Sequence, residues 1–167
     1  MPVEDDIAAI VKQESTLMLP GFTPDIAWQL GTMLREMAVA RQVPLVIDVR
    51  RFGSPHQPLF YCALVGTTPD NARWVQRKVN VVARFHKSSY HVGRLLEQQK
   101  LGFTERYGLP DEDYAPHGGS FPLNVAGAGI VGSVTVSGLP QRDDHNLVVE
   151  ALCALTARDY EELRLPD

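Results

Sequence analysis

Cysteine is scarce: the 167 residues contain two, Cys62 and Cys153. There is no C-x-x-C, no C-x-x-C-H and no H-E-x-x-H, and the five histidines lack ligand spacing. Common zinc, redox and haem-attachment motifs are therefore excluded, and no metal site is expected. Both thiols read as reduced core residues. Basic charge is not in excess either. Lys and Arg number 16 against 20 Asp and Glu, for a net charge of −4, so no overall cationic field invites nucleic acid or an anionic membrane. Apolar runs stop well short of a membrane span, and the acidic start MPVEDDIAAI lacks the basic and apolar regions of a secretory signal. The expected location is cytoplasmic. Repeats and low-complexity segments are also missing. The remaining composition, 44% hydrophobic, is ordinary for a globular protein, read here as a single domain over 1–167.

One glycine cluster raises the question of a dinucleotide. Gly127-Ala128-Gly129-Ile130-Val131-Gly132 spells G-x-G-x-x-G, whose mechanism needs a helix after the glycines to face the pyrophosphate. Here Ser133-Val134-Thr135-Val136-Ser137 follows, alternating and β-branched as in a half-buried strand. The glycines therefore read as the turn of a hairpin with strands over 121–125 and 130–136.

Other elements follow from capping and periodicity. A weakly periodic stretch predicts an N-terminal helix over about 4–14. Thr23 and Pro24 open a second helix with Ile26, Leu30, Met33, Leu34 and Met37 on its inner face. Runs over 45–50 and 58–65, joined by a Gly-Ser-Pro turn, predict a first hairpin. Thr68 and Pro69 open the longest helical pattern, over about 69–99 with a bend near Ser88 and Ser89. A final helix starts around Asp143, with Leu147, Val148, Ala151, Leu152 and Leu155 inward. The order is α-α-β-β-α-β-β-α. It predicts an α+β sandwich, profilin-like, with an antiparallel sheet of about five strands and helices on both faces.

The long helical pattern is the informative segment. At roughly 100° per residue it sorts Arg77, Asn80, Arg84, Lys87, His91 and Arg94 into one polar stripe. That stripe reads as a solvated face, a subunit contact or an anion-facing ridge. Lys78 projects into the opposite, apolar arc, where an unpaired charge is costly, so it must snorkel, pair with a carboxylate or meet an anionic ligand. Asp48, on a neighbouring strand, is the candidate partner. His86 falls at the edge of the apolar arc, as a hydrogen-bonded boundary residue or a ligand. The loop APHGGSFPL offers His117, Gly118, Gly119 and Ser120, whose successive N–H groups form an anion nest in one reading and a flexible strand entry in the other.

In this order the pieces resemble the haem-degrading-domain family, GlcG/HbpS-like, over roughly 23–155. The resemblance rests on Val46-Ile47-Asp48-Val49, on Lys78 with Phe85, on Gly118-Gly119-Ser120-Phe121-Pro122-Leu123, and on the run from Ile130 to Gly138 with Asp144 after it. The segments RFHKSS and HGGSFP are similar to those of an uncharacterised cytosolic branch. The resemblance implies a profilin-like sandwich that assembles into a homo-oligomer. It places haem among the ligands of some members, and it links others to hydroxy-acid or diol metabolism. The first hairpin, with Arg50-Arg51-Phe52-Gly53, departs from the family's small glycine-rich turn.

Together these readings predict a protein that binds a small anionic ligand, haem or another tetrapyrrole included. Lys78 and the N–H groups of Gly118 to Ser120 would hold the anion, with His86, His117 and Asp48 lining the site. An enzyme on a small hydroxy-acid or carbonyl metabolite is the second reading, with His86 or His117 as acid/base and Lys78 as electrophile. A protein-interaction scaffold using Arg77, Arg84, Lys87 and Arg94 is the third.

Overall fold

The computed structural model describes residues 2–166. Its elements are α1 (Val3–Thr16), β1 (Met18–Leu19), α2 (Pro24–Ala40), β2 (Val46–Arg51), β3 (Gln57–Ala63), α3 (Pro69–Phe85), α4 (Ser89–Gln99), α5 (Phe103–Tyr107), β4 (Ser120–Val125), β5 (Gly129–Ser137), α6 (Gln141–Thr156) and α7 (Tyr160–Leu163). The strands form one five-stranded sheet in the order β1-β4-β5-β2-β3. Both predicted hairpins are present, as antiparallel β2/β3 and β4/β5 pairs. The glycines that mimic a dinucleotide fingerprint turn the second hairpin, with Gly127 and Gly129 at φ of 79° and 82°. The sheet is not wholly antiparallel as expected: β1, too short for a periodic signal, adds parallel to β4.

Strand alternation gives the sheet two different faces. Ile47 and Val49 of β2, Phe121, Leu123 and Val125 of β4, and Val134 and Val136 of β5 share a face and pack with α2 and α6 in the main core. Register puts Val46, Asp48 and Arg50 opposite Ser137, Thr135 and Ser133 on the other face, with Ser120 beside Thr135. That face meets α3, whose Val75 and Val79 cluster with Val46. Burial of α3 against it thus encloses a layer of hydroxyls and charges, and Ser120 and Thr135 satisfy one another at 2.8 Å.

The predicted long helix is two helices. His86 takes a left-handed conformation as the C-cap of α3, and Ser88 starts α4 anew by accepting the His91 N–H at 3.2 Å. Ser88 and Ser89 therefore mark a restart where a bend was expected. The break also divides the predicted cationic stripe. Arg77 of α3 donates to the Asp111 carbonyl, Arg94 of α4 pairs with Asp6 of α1, and His91 pairs with Glu14. Arg84 stays exposed and Lys87 falls in the interhelix link. No single face carries all four cations.

The N-terminal helix, longer than predicted at both ends, packs on α4 and is fixed by polar contacts. Asp6 is fully buried between Arg94 and Arg142, and Gln13 donates to the Leu163 carbonyl while accepting from His145. Among the described residues no helix is long and apolar enough to cross a membrane.

Candidate functional site

Lys78 does point inward, and only 3% of it is exposed. Its ammonium donates to the Asp144 carboxylate at 2.9 Å and to the Val136 carbonyl at 3.2 Å. The expected partner, Asp48, is instead held by Arg50 two residues along the same strand face, through bonds of 2.7 and 2.8 Å. Strand pleating puts residues i and i+2 side by side, so Arg50 satisfies Asp48 locally, and Lys78 is left to the first turn of α6. Asp144 uses its other oxygen to accept the Leu139 N–H at 3.0 Å, which ties the β5–α6 turn to the pair.

Gly119 makes this meeting possible. Its φ is +132°, and a Cβ there would lie 2.5 Å from the Val136 oxygen and 2.7 Å from the Lys78 ammonium. The HGGS loop thus serves as a passage for the lysine. It does not form the predicted anion nest, because the Gly118 N–H goes to the Gln141 side chain at 3.3 Å and the Ser120 N–H to the Ser89 hydroxyl at 3.1 Å. These bonds, with Ala115 N–H on the Arg77 carbonyl at 3.0 Å, also make the segment a pinned strap where a flexible entry was one reading.

The strap carries His117 to a cleft of about 410 Å³ lined by Asp70, Asn71, Trp74, Lys78, Ser137, Leu139 and Asp144 among others. This volume falls within the range of about 300–1,000 Å³ typical of small-molecule sites. The Trp74 and His117 rings meet edge to face at 5.4 Å and form one wall. Of the seven residues the sequence nominated for a ligand, Lys78 and His117 line this cleft. Asp48 lies under Arg50, Ser120 is buried against Thr135, Gly119 stands beside the lysine, Gly118 is close against Gln141 and His145, and His86 is exposed at the end of α3. His86 is displaced because the left-handed cap ends the helical projection that put it at the edge of the apolar arc.

The electrostatics are those of a partly dry site. Burial lowers the Lys78 pKa, against the attraction of Asp144. Burial likewise raises Asp144, to about 6, against the pull of Lys78. Burial also lowers His117, helped by the cations Lys78 and Arg77, so at neutral pH its ring is neutral, with one nitrogen donating and one accepting. Lys78 has three N–H donors. Two are engaged within the protein, and the third remains for an acceptor atom in the cleft. Trp74 and Asp144 line the cleft without having been nominated for it: Asp144 stands out in the sequence through the resemblance and the start of the last helix, and Trp74 falls on the apolar side of α3 with no local signal of a site.

Among the described residues no cluster of His, Cys, Asp and Glu suits a metal ion. Of the five histidines, His117 alone lines the Trp74 cleft. His91 is held by Glu14, His145 is buried on Gln13, His86 is exposed, and His56 borders a shallow recess at the first hairpin. His117, with the Trp74 ring beside it, is the residue that would offer a nitrogen to a haem iron there.

Comparison with known proteins agrees with this architecture. The model of the haem degrading protein HbpS-like family matches residues 22–153. A UPF0303 protein of Acidobacterium capsulatum is 57% identical over 166 residues, covering 99% of both chains. Among solved structures, that of the Ybr137w protein superposes with a TM-score of 0.82 at 28% identity, over 93% of this chain and 88% of that one. That of a PduOC:haem complex superposes with a TM-score of 0.67 at 16% identity, over 80% and 94%. The extent of the family match and the full-length relatives place this chain in the HbpS-like family of haem-degrading-type proteins.

Proposed function

We propose that this protein binds a small organic ligand in the Trp74–His117 cleft, through an acceptor oxygen on Lys78 and a flat apolar body against Trp74. The observation that carries the reading is the Lys78–Asp144 pair. A buried ion pair contributes little net stability, and a pair whose lysine keeps a spare donor at the base of an open cleft is organised for recognition. Because Asp144 neutralises Lys78, the cleft favours a carbonyl or a single carboxylate over a strongly anionic group. Haem or another tetrapyrrole is the ligand that the family name and the PduOC:haem neighbour bring forward. His117 would then hold the iron through a ring nitrogen, and haem would supply redox and oxygen chemistry.

The test is titration of the purified protein with haemin and with a panel of keto and hydroxy acids, followed by Soret absorbance and thermal shift. Saturable binding that is lost in His117→Ala, and weakened at least tenfold in the charge-neutral Lys78→Met/Asp144→Leu double variant, supports the reading. No spectral change and no thermal shift with any of these compounds overturns it.

One observation favours a catalytic variant of the same reading. A neutral His117 beside a lysine can move a proton next to a carbonyl that the lysine polarises. Turnover of a panel compound, with a pH profile abolished in His117→Gln, would mark the protein as an enzyme.

A further inference from the structure

A second cavity, of about 430 Å³, lies on the far side of the strap, and His117 and Gln141 line both it and the first cleft. Its apolar floor comes from Leu96, Phe103 and Tyr114, and its polar wall carries Arg77 and Arg94. The two arginines differ in how their charge is met. Arg94 is paired with Asp6 and Glu97. Arg77 donates to the backbone carbonyl of Asp111 at 2.7 Å, and its guanidinium stacks 4.6 Å from the Trp74 ring centre. Among the described residues no carboxylate pairs with it. The Nε–H groups of both Arg77 and Arg94 are buried without a hydrogen-bond partner, and leaving such a donor unmade is costly.

We propose that Arg77 is the docking point for a carboxylate borne on an apolar or aromatic body, and that the second cavity receives this acid-bearing arm of the ligand whose other end occupies the first cleft. The proposal rests on the ligand-binding reading of the first cleft and extends it to a two-part groove. Arg77 directly precedes Lys78 on α3 and stacks on the tryptophan that walls the first cleft, so consecutive residues of one helix serve the two cavities, Lys78 the first and Arg77 the second. A guanidinium suits a carboxylate because its donors form a planar fork. The choice of carboxylate over phosphate follows from the wall itself: Glu97, already paired with Arg94, repels a second negative charge more strongly from a dianion.

The experiment uses benzoate and inorganic phosphate as separate probes, with the Arg side-chain ¹⁵Nε–H resonances and Trp74 fluorescence as readouts in the full-length protein. The expected result is a saturable shift of the Arg77 Nε–H with benzoate, with phosphate at least tenfold weaker. Arg77→Gln should abolish the benzoate response, and Arg77→Lys should restore it in part. Asn80→Leu serves as the structural control. It frees the Asp113 carbonyl, which Asn80 holds at 2.7 Å, so it loosens the same loop while keeping the cation, and it should leave benzoate affinity within about twofold. Absence of a benzoate shift, or a response retained in Arg77→Gln, overturns the proposal. Tighter phosphate binding overturns the carboxylate assignment. Benzoate binding at Arg77 without any haemin or organic-acid binding in the first cleft would leave this site standing while the two-part groove and the ligand reading of the first cleft fail.

Discussion

The Lys78 ammonium and the Asp144 carboxylate stand 2.9 Å apart, joining residues 66 positions distant in the chain. The contact ties the middle of α3 to the first turn of α6 past the end of the central strand β5.

Breaking one side of this pair should cost far more than removing it whole. Asp144→Asn leaves a buried ammonium without its counter-charge and is expected to destabilise the fold by about 3–5 kcal/mol. Lys78→Met/Asp144→Leu should recover most of that loss, because two apolar groups replace two desolvated charges. Urea unfolding of both variants at pH 7 measures the difference. A double variant as unstable as Asp144→Asn would show that the pair is a net source of stability.

Acid should destabilise the protein through His145. Its Nε2–H donates to Gln13 at 2.7 Å, while its Nδ1 is buried without a partner. Full burial, with Arg142 as the next cause, lowers its pKa to about 3 from the ordinary 6.5. The neutral ring's stability is fully present above pH 6.5 and is lost as pH falls toward 3, because the unfolded chain then binds a proton that the fold refuses. The ceiling is about 5 kcal/mol at 1.36 kcal/mol per unit. Asp144, raised to about 6, acts with the opposite sign over part of this window. The difference between wild type and His145→Gln therefore isolates the histidine. Stability against urea should fall more steeply from pH 6.5 to 4 in the wild type, and parallel curves would refute the assignment.

Asp6 should control the attachment of α1. Its buried carboxylate accepts from Arg94 at 3.2 Å and from Arg142 at 3.0 Å. Asp6→Asn leaves two guanidinium groups short of a partner, with an expected loss of about 3 kcal/mol. Amide exchange over residues 3–16 should accelerate more than exchange in α2. Unchanged protection of α1 would mean that its apolar contacts, Ile10 with Tyr90 and Leu165, suffice.

How far the sequence foretold this structure depended on how local each determinant is. Thr23 and Pro24 placed the start of α2, because the signal and the bond it makes, Thr23 to the Ile26 N–H at 3.2 Å, lie within one turn. Alternating valines separated β5 from a Rossmann helix for the same reason. The inward aim of Lys78 was also legible, since helical periodicity is local. Its partner was not, because pairing with Asp144 depends on how α3 and α6 are brought together across the sheet. The Asp48–Arg50 pair, by contrast, follows from strand alternation alone and could have been read directly. His86 was misplaced because a single left-handed residue ends a projection that assumes unbroken helix. Arg77 and Arg94 were legible as cations, but which of them meets a carboxylate depends on where the 100–116 segment and α1 fold back.

The sheet has an apolar side and a polar side. Between it and α2 and α6 lie apolar side chains whose cohesion comes from the exclusion of water, and water offers them no substitute. Between it and α3 lie Ser120, Thr135, Ser137, Asp48 and Lys78, whose bonds water can replace one for one. Parting the second layer exchanges protein hydrogen bonds for solvent ones and exposes only the small Val46, Val75 and Val79 cluster, while parting the first exposes the main core. On the ligand-binding reading proposed above, a molecule that carries its own oxygens would stand in for that water and would reach the buried lysine from the polar side of the sheet.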